Sequence, residues 1–176
     1  MTKKHTQRLF FALWPDMDAR VGLQRISNAL SGHGGRVHQA DDLHITLAFL
    51  VQVTPEQHSC LIAAASEVAI APFKLTIDKI ALWRRPGILW CGPSHIPDQL
   101  EQLVVDLQSE VSACGFEPEK RHYTPHVTLA RKARLLPDYP LSQPLYWPVR
   151  GFVLASSDDA TPPHRYKVIK KWLADS

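Results

Sequence analysis

Two stretches decide how this chain is read: LHITLAFL at residues 43–50 and PHVTLARK at residues 125–132. Each contains His-x-Thr-Leu-Ala, and His44 and His126 stand 126 − 44 = 82 positions apart in a chain of 176 residues. A repeat at near half the chain length would be ordinary if it repeated core residues. This one repeats a histidine and a hydroxyl, which a core does not need. Both copies are β-prone, and strand side chains alternate between faces. His44 and Thr46 therefore share one face and Ile45 and Leu47 the other. His126 and Thr128 share one face, with Val127 and Leu129 opposite. The apolar faces belong to a core and the His/Thr faces to a cleft. Pro125 restricts Thr124 to an extended conformation and is tolerated at a strand's start.

Outward from the motifs, RLFFALW at residues 8–14 reads as a buried strand stopped by Pro15. Residues 16–31 read as a helix, with Ala19, Leu23, Ile26 and Leu30 at helical spacing and Gly32 following. Thr54 is a natural N-cap and Pro55 a first-turn residue for a second helix over 54–70. Residues 73–83 and 87–91 read as two strands joined at Arg84-Arg85-Pro86-Gly87. The apolar stripe Leu100, Leu103, Val104, Leu107 and Val111 predicts a helix over 97–114. A proline-rich loop at 137–148 and strands near 149–156 and 166–172 complete the chain. Each half thus carries strands, an amphipathic helix and one motif. The pattern predicts an α+β fold: a single domain over residues 1–176, made of two pseudo-symmetric sheet-plus-helix lobes flanking a central cleft.

Composition sets outer bounds. The chain is 45% hydrophobic and 21% charged, as ordinary globular proteins are. A net charge of +3 permits an anionic partner without demanding one. No apolar run approaches the roughly 20 residues that span a bilayer. The polar N-terminus lacks a signal peptide's apolar segment, which points to the cytoplasm. Three cysteines, Cys60, Cys91 and Cys114, without a CxxC, read as free thiols in that reducing compartment.

Two imidazoles and two hydroxyls around one space suit a phosphodiester. In in-line displacement one histidine deprotonates the nucleophile while the other protonates the leaving oxygen. The threonines are neutral donors for non-bridging oxygens. A single HxT on a strand is more often a solvated polar edge than a catalyst, but two copies with His and Thr on the polar face are not independent accidents.

The pair HITL/HVTL resembles the signature of the two-histidine phosphoesterase superfamily. With RLFFALWP, LHITLAFL, ILWCGP and YTPHVTLAR, the chain looks closest to its LigT/ThpR family of bacterial RNA 2′,3′-cyclic phosphodiesterases. The resemblance implies a bilobal α+β fold and hydrolysis of a 2′,3′-cyclic phosphate to a 2′-phosphate. It implies no cofactor or metal, and reversible 2′-5′ joining of tRNA halves in some members. The expected partners are RNA ends bearing the cyclic phosphate, met by a monomeric enzyme with no membrane attachment. Carried over by position, His44 and His126 are the acid/base pair and Thr46 and Thr128 bind phosphate. Arg131 matches a phosphate-binding position, although strict alternation turns it away from the cleft unless the strand bulges after Leu129.

Phe10, opposite Leu9 and Phe11 on its strand, is a candidate for stacking a base. Tyr123, three before His126, is a candidate cleft residue. Trp83-Arg84-Arg85 resembles an RNA-contacting turn, and Lys3, Lys4, Arg8, Lys132 and Arg134 would make a diffuse basic rim. The remaining histidines, His5, His33, His38, His58, His95, His122 and His164, lack the motif context and read as ordinary. Three rivals stand beside this reading. One is a zinc hydrolase completed by Asp41 or Asp42. The others are a non-catalytic RNA-end binder and a diesterase for a small nucleotide derivative.

Overall fold

The computed structural model describes residues 6–30, 32–136, 141, 143–157 and 164–175. Lys3, Lys4 and His5, and positions 137–140 and 142 of the expected proline-rich loop, lie outside the described residues. Strand β1 (Gln7–Leu13) is the aromatic stretch that Pro15 closes. Asp16 then caps α1 (Met17–Ala29) by accepting the Ala19 N–H at 2.8 Å. The chain continues through β2 (Arg36–Val37), a 3₁₀ turn (Ala40–Asp42) and β3 (Ile45–Val53), the first motif strand. Thr54 and Gln57 form a reciprocal capping box on α2 (Pro55–Ser66), a device whose loss costs about 1 kcal/mol. There follow β4 (Phe73–Ile77), β5 (Lys79–Trp83), β6 (Ile88–Gly92), α3 (Asp98–Ser112) and β7 (Val127–Arg131), the second motif strand. Strands β8 (Leu145–Val149), β9 (Gly151–Ser156) and β10 (Lys167–Leu173) end the chain.

The architecture is α+β, with antiparallel pairing throughout the described sheets. One eight-stranded sheet runs β10-β9-β1-β3-β7-β6-β5, with β2 added beside β7, while β4 and β8 form a two-stranded sheet of their own. The expectation of a separate sheet for each half is replaced by this continuous path. It is continuous because the two motif strands themselves pair, at Ile45↔Val127. Leu9, Phe11, Leu13, Ile45 and Val127 face the main core with Leu23 of α1, Leu61 of α2 and Leu107 of α3. All three helices therefore cover one face of the sheet. Phe10, Ala12, Val153 and Ala155 form a smaller cluster on the other face, and that face bears the cleft.

Two further expectations change. Residues 73–83 are two strands, because the chain turns at Asp78. Its N–H donates to the Gly92 carbonyl, and its carboxylate accepts from the Ser94 N–H and hydroxyl at 2.7 and 2.6 Å. The segment before the turn pairs with β8 and the segment after it enters the large sheet. Cys60 and Cys114 are not free thiols. The packing of α2 on α3 brings them together as a disulfide, leaving Cys91 free and buried.

Candidate active site

The pairing Ile45↔Val127 is antiparallel, so paired positions sum to 172. The same register continued one residue either way sets His44 opposite Thr128 and Thr46 opposite His126. All four side chains then share the sheet face away from the helices. They line one cavity of about 670 Å³, together with Arg131 and Tyr123. Gly92 lets β6 approach closely here: a Cβ at that position would meet the Pro125 carbonyl oxygen at 2.6 Å, next to His126.

The two histidines are held in the same way. His44 Nδ1–H donates to the Asp42 carbonyl at 2.7 Å, and His126 Nδ1–H donates to the Thr124 carbonyl at 2.8 Å. Each bond is to the residue two before the histidine. It fixes the tautomer and leaves Nε2 of both rings without the proton, outside that bond. Aromatic side chains fix the ring planes. Trp14 stacks on His44 at 5.2 Å between centroids and 4° between planes, with Tyr166 edge-on at 4.9 Å. Trp83 meets His126 edge-on at 4.6 Å, and Trp90 lies beyond it at 6.0 Å. The hydroxyls of Thr46 and Thr128 have no partner among the described residues, so both remain available as donors.

Electrostatics keep the imidazoles neutral in the protein alone. Burial pushes His44 down from 6.5 to about 4, with the charges of His126 and Arg131 acting in the same direction and the Asp42 carbonyl opposing them. His126 is also lowered, by burial and by Arg131, against the pull of the Thr124 carbonyl. An anion placed between them would reverse the sign of the field and favour a proton on one ring.

Arg131 reaches the cleft because β7 bulges. Leu89 pairs with Ala130 and Trp90 with Thr128, so Leu129 is an extra residue and alternation is broken after it. The first motif bulges at the same place: Phe11 pairs with Ala48 and Ala12 with Thr46, leaving Leu47 extra. Tyr123 is placed in the cleft, where its hydroxyl donates to the Thr46 carbonyl at 3.1 Å and ties the second motif's approach to the first motif's strand. Phe10 also lines the cavity but is only 1% exposed. Its ring lies between His44 and Phe49, at 4.9 and 5.9 Å, with Tyr166 edge-on. It backs the histidine rather than offering an open face to a base. Phe49, 59% exposed and stacked on Phe10 with a 12° interplanar angle, does offer one.

Of the Trp83-Arg84-Arg85 turn, Trp83 and Arg85 line the cavity, whereas Lys132 and Arg134 of the expected basic rim are exposed outside its lining. Asp41 is engaged by Arg20 at 2.9 Å, and the buried Asp42 carboxylate accepts the Arg165 N–H at 3.0 Å. Among the described residues no group of three His, Cys, Asp or Glu side chains is placed to hold a metal ion, and no described helix is long and apolar enough to cross a membrane. Sequence reasoning passed over Trp14, Tyr166, His38 and His122, all of which touch the cleft or its histidines. Trp14 had a signal, since it shares alternation with Phe10. Tyr166 and His38 had none, because they arrive from segments that no local period links to the motifs.

Comparison with known proteins bears on the same residues. A family model described as LigT-like phosphoesterase matches residues 15–90 and again 91–163, one motif in each match. The RNA 2′,3′-cyclic phosphodiesterase of Escherichia coli K12 is 34% identical over 171 residues, covering 94% of this chain and 96% of that protein. The enzyme of the same name from Archaeoglobus fulgidus is 30% identical over 135 residues, 74% of this chain and 76% of its own. The crystal structure of E. coli LigT complexed with 3′-AMP superposes with a TM-score of 0.86 at 31% identity, covering 98% of this chain and 100% of that one. The repeated motif, the fold and these matches agree, and the chain belongs to the LigT-like phosphoesterases of the two-histidine superfamily.

Proposed function

We propose that this phosphoesterase hydrolyses 2′,3′-cyclic phosphate ends of RNA to 2′-phosphates. One observation carries the reading: two histidines, each anchored through Nδ1 by a backbone carbonyl two residues back, line one cavity with two unengaged threonine hydroxyls. The names of the E. coli and A. fulgidus relatives support the substrate, and the 3′-AMP complex of E. coli LigT supports a nucleotide-sized ligand.

The cyclic phosphate lies between the two Nε2 atoms. One imidazole takes a proton from water as its oxygen attacks phosphorus; the other, protonated, gives its proton to O3′ as the P–O3′ bond breaks. The products are a 2′-phosphate and a 3′-hydroxyl. Thr46, Thr128 and Arg131 hold the non-bridging oxygens as charge shifts onto them. With a 5′-hydroxyl in place of water, the same two transfers join RNA through a 2′-5′ linkage, so ligation of tRNA halves needs no further group. The chemistry needs no metal. The 176 residues act as one domain, as a monomer. A cytoplasmic location must accommodate the Cys60–Cys114 disulfide, because cytosolic thiols are kept reduced. Counting alkylatable thiols in protein taken directly from cells tests that location.

The deciding experiment is incubation of an oligonucleotide ending in a 2′,3′-cyclic phosphate, with and without EDTA, followed by ³¹P NMR of the product. A 2′-phosphate in both tubes is the expected result. Binding without turnover would leave only an RNA-end binder, and loss of activity restored by zinc would favour the metal rival. Turnover of cyclic mononucleotides but not oligonucleotides would move the substrate to a small nucleotide.

A further inference from the structure

One buried polar side chain at the cleft has no part in the chemistry above: His38. It is 7% exposed, lines the same cavity as the catalytic pair, and its Nε2 has no hydrogen-bond partner among the described residues. Buried polar atoms are seldom left unpaired without a functional reason. Burial first, then the charges of Arg131, Arg165 and His44, hold this imidazole down at about 4, so it carries a lone pair and no charge near neutral pH. The Arg131 guanidinium, on the same cavity wall, has no hydrogen-bond partner among the described residues either. A neutral imidazole with an unpartnered ring nitrogen thus lines the same cavity as a group with five donors.

The backbone joins the same two residues. Strand β2 pairs with β7 at Arg36↔Arg131 and Val37↔Ala130, and the His38 N–H continues the ladder to the Leu129 carbonyl at 2.8 Å. Leu129 is the extra residue of the β7 bulge, skipped by β6 on the other side. Beyond it Lys132 is left-handed, with φ +58°, the pairing runs on through the Arg134 N–H to the His33 carbonyl at 2.7 Å, and Gly35 is pressed so close that a Cβ there would meet the Arg131 carbonyl oxygen at 2.6 Å. Arg131 is therefore held between the Leu129 bulge and the left-handed Lys132, with the segment 35–38 paired along one edge.

We propose that His38 is a positioning residue for Arg131: its N–H fixes the bulge that turns Arg131 into the cleft, and its imidazole accepts a guanidinium N–H as Arg131 engages phosphate. The inference rests on the phosphate-binding role given to Arg131 above. A guanidinium that forks onto two phosphate oxygens keeps donors to spare, and an acceptor behind it restricts its rotation before the anion arrives. Arg165 is the other cation near His38. Its side chain does not line the cavity, and its backbone is tied to Asp42.

The test is a double-mutant cycle with two readouts: affinity for inorganic phosphate, measured by titration calorimetry, and kcat and KM for 2′,3′-cyclic AMP. His38→Leu is expected to weaken phosphate binding about tenfold, the scale of one charge-assisted hydrogen bond. KM rises accordingly while kcat changes little. His38→Gln, which restores an acceptor, recovers most of the loss. In an Arg131→Ala background His38→Leu has no further effect. Losses that multiply in the double variant, or unchanged phosphate affinity in His38→Leu, overturn the proposal. If His38→Leu folds poorly by its melting temperature, His38→Phe keeps the ring's bulk without the acceptor and takes its place. A protein that turns over no cyclic phosphate, yet shows the coupled loss of phosphate affinity, would refute the proposed activity and leave the positioning role standing.

Discussion

Strands β3 and β7 carry the same five-residue motif, the same bulge at its leucine and the same backbone anchor on the histidine, yet their surroundings differ. His44 sits among Trp14, Phe10 and Tyr166, and burial holds it down at about 4; His126 meets Trp83 and Trp90 and is lowered for the same main reason. Three residues past each threonine, the first strand presents Phe49 and the second Arg131. What is duplicated is what in-line chemistry needs twice, an imidazole and a hydroxyl on each side of one phosphorus. On the proposed function, what differs is what a nucleotide needs once, a cation for its phosphate and an apolar surface for its base.

The comparison is broken most directly at the histidines. His44→Ala and His126→Ala are each expected to lower the rate on a cyclic ribonucleotide by roughly 10²–10⁴. On a diester with a nitrophenolate leaving group, the variant lacking the acid is expected to recover and the one lacking the base is not. Equal loss on both substrates would mean that the histidines only hold phosphate, and the acid/base division would be abandoned. Thr46→Ala and Thr128→Ala come next, with losses of up to about 10²–10³ in kcat, as for one oxyanion donor. A large loss at one threonine and none at the other would show that the halves do not share the phosphate.

Arg131→Ala is expected to raise KM by roughly 10–100-fold, the weight of a hydrogen bond to a charged group. Phe49→Ala should act only through the base, so its effect should vanish on a cyclic phosphate that carries no base. A similar KM change at both positions would erase the division between cation and platform. The pH profile sharpens the contrast between the two histidines. Both are lowered in the free protein, so kcat/KM is expected to be bell-shaped with its maximum on the acidic side of neutrality, both limbs belonging to the pair. The kcat profile lies higher, because the bound anion raises both. An optimum well above neutrality in kcat/KM would contradict the burial of His44.

The smallest expected effect is on stability. His44 binds protons less readily folded, at about 4, than unfolded, at 6.5, so the unfolded state gains protons first as pH falls. Stability is full above about 6.5 and declines toward pH 4, by on the order of 1–3 kcal/mol for this residue. His44→Gln is expected to flatten that decline in denaturant melts between pH 7 and 4, though only in part, because His38 is lowered equally. An unchanged slope would show that the cleft admits enough water to leave His44 near its ordinary value.

Much of this protein was legible in its sequence. Period-two alternation assigned His44, Thr46, His126 and Thr128 to one face of their strands, and capping chemistry placed Asp16 and Thr54 at the starts of helices, because these are local properties of the chain. Alternation failed at Arg131 for a reason that is not local. The bulge at Leu129 exists only against β6, a strand about 40 residues away in the chain. Pairing between β3 and β7 fused two expected sheets into one, and the packing of α2 on α3 turned two expected thiols into a disulfide. Tyr166 and His38 entered the cleft from segments whose own patterns carry no sign of it. The sequence by itself determined which residue types the chemistry would use and which strand face would bear them, since both follow from backbone geometry and side-chain chemistry over a few residues. Only the tertiary structure decided how protonated those groups are and which way Arg131 points, because burial, register and the fields of distant charges arise when remote segments meet.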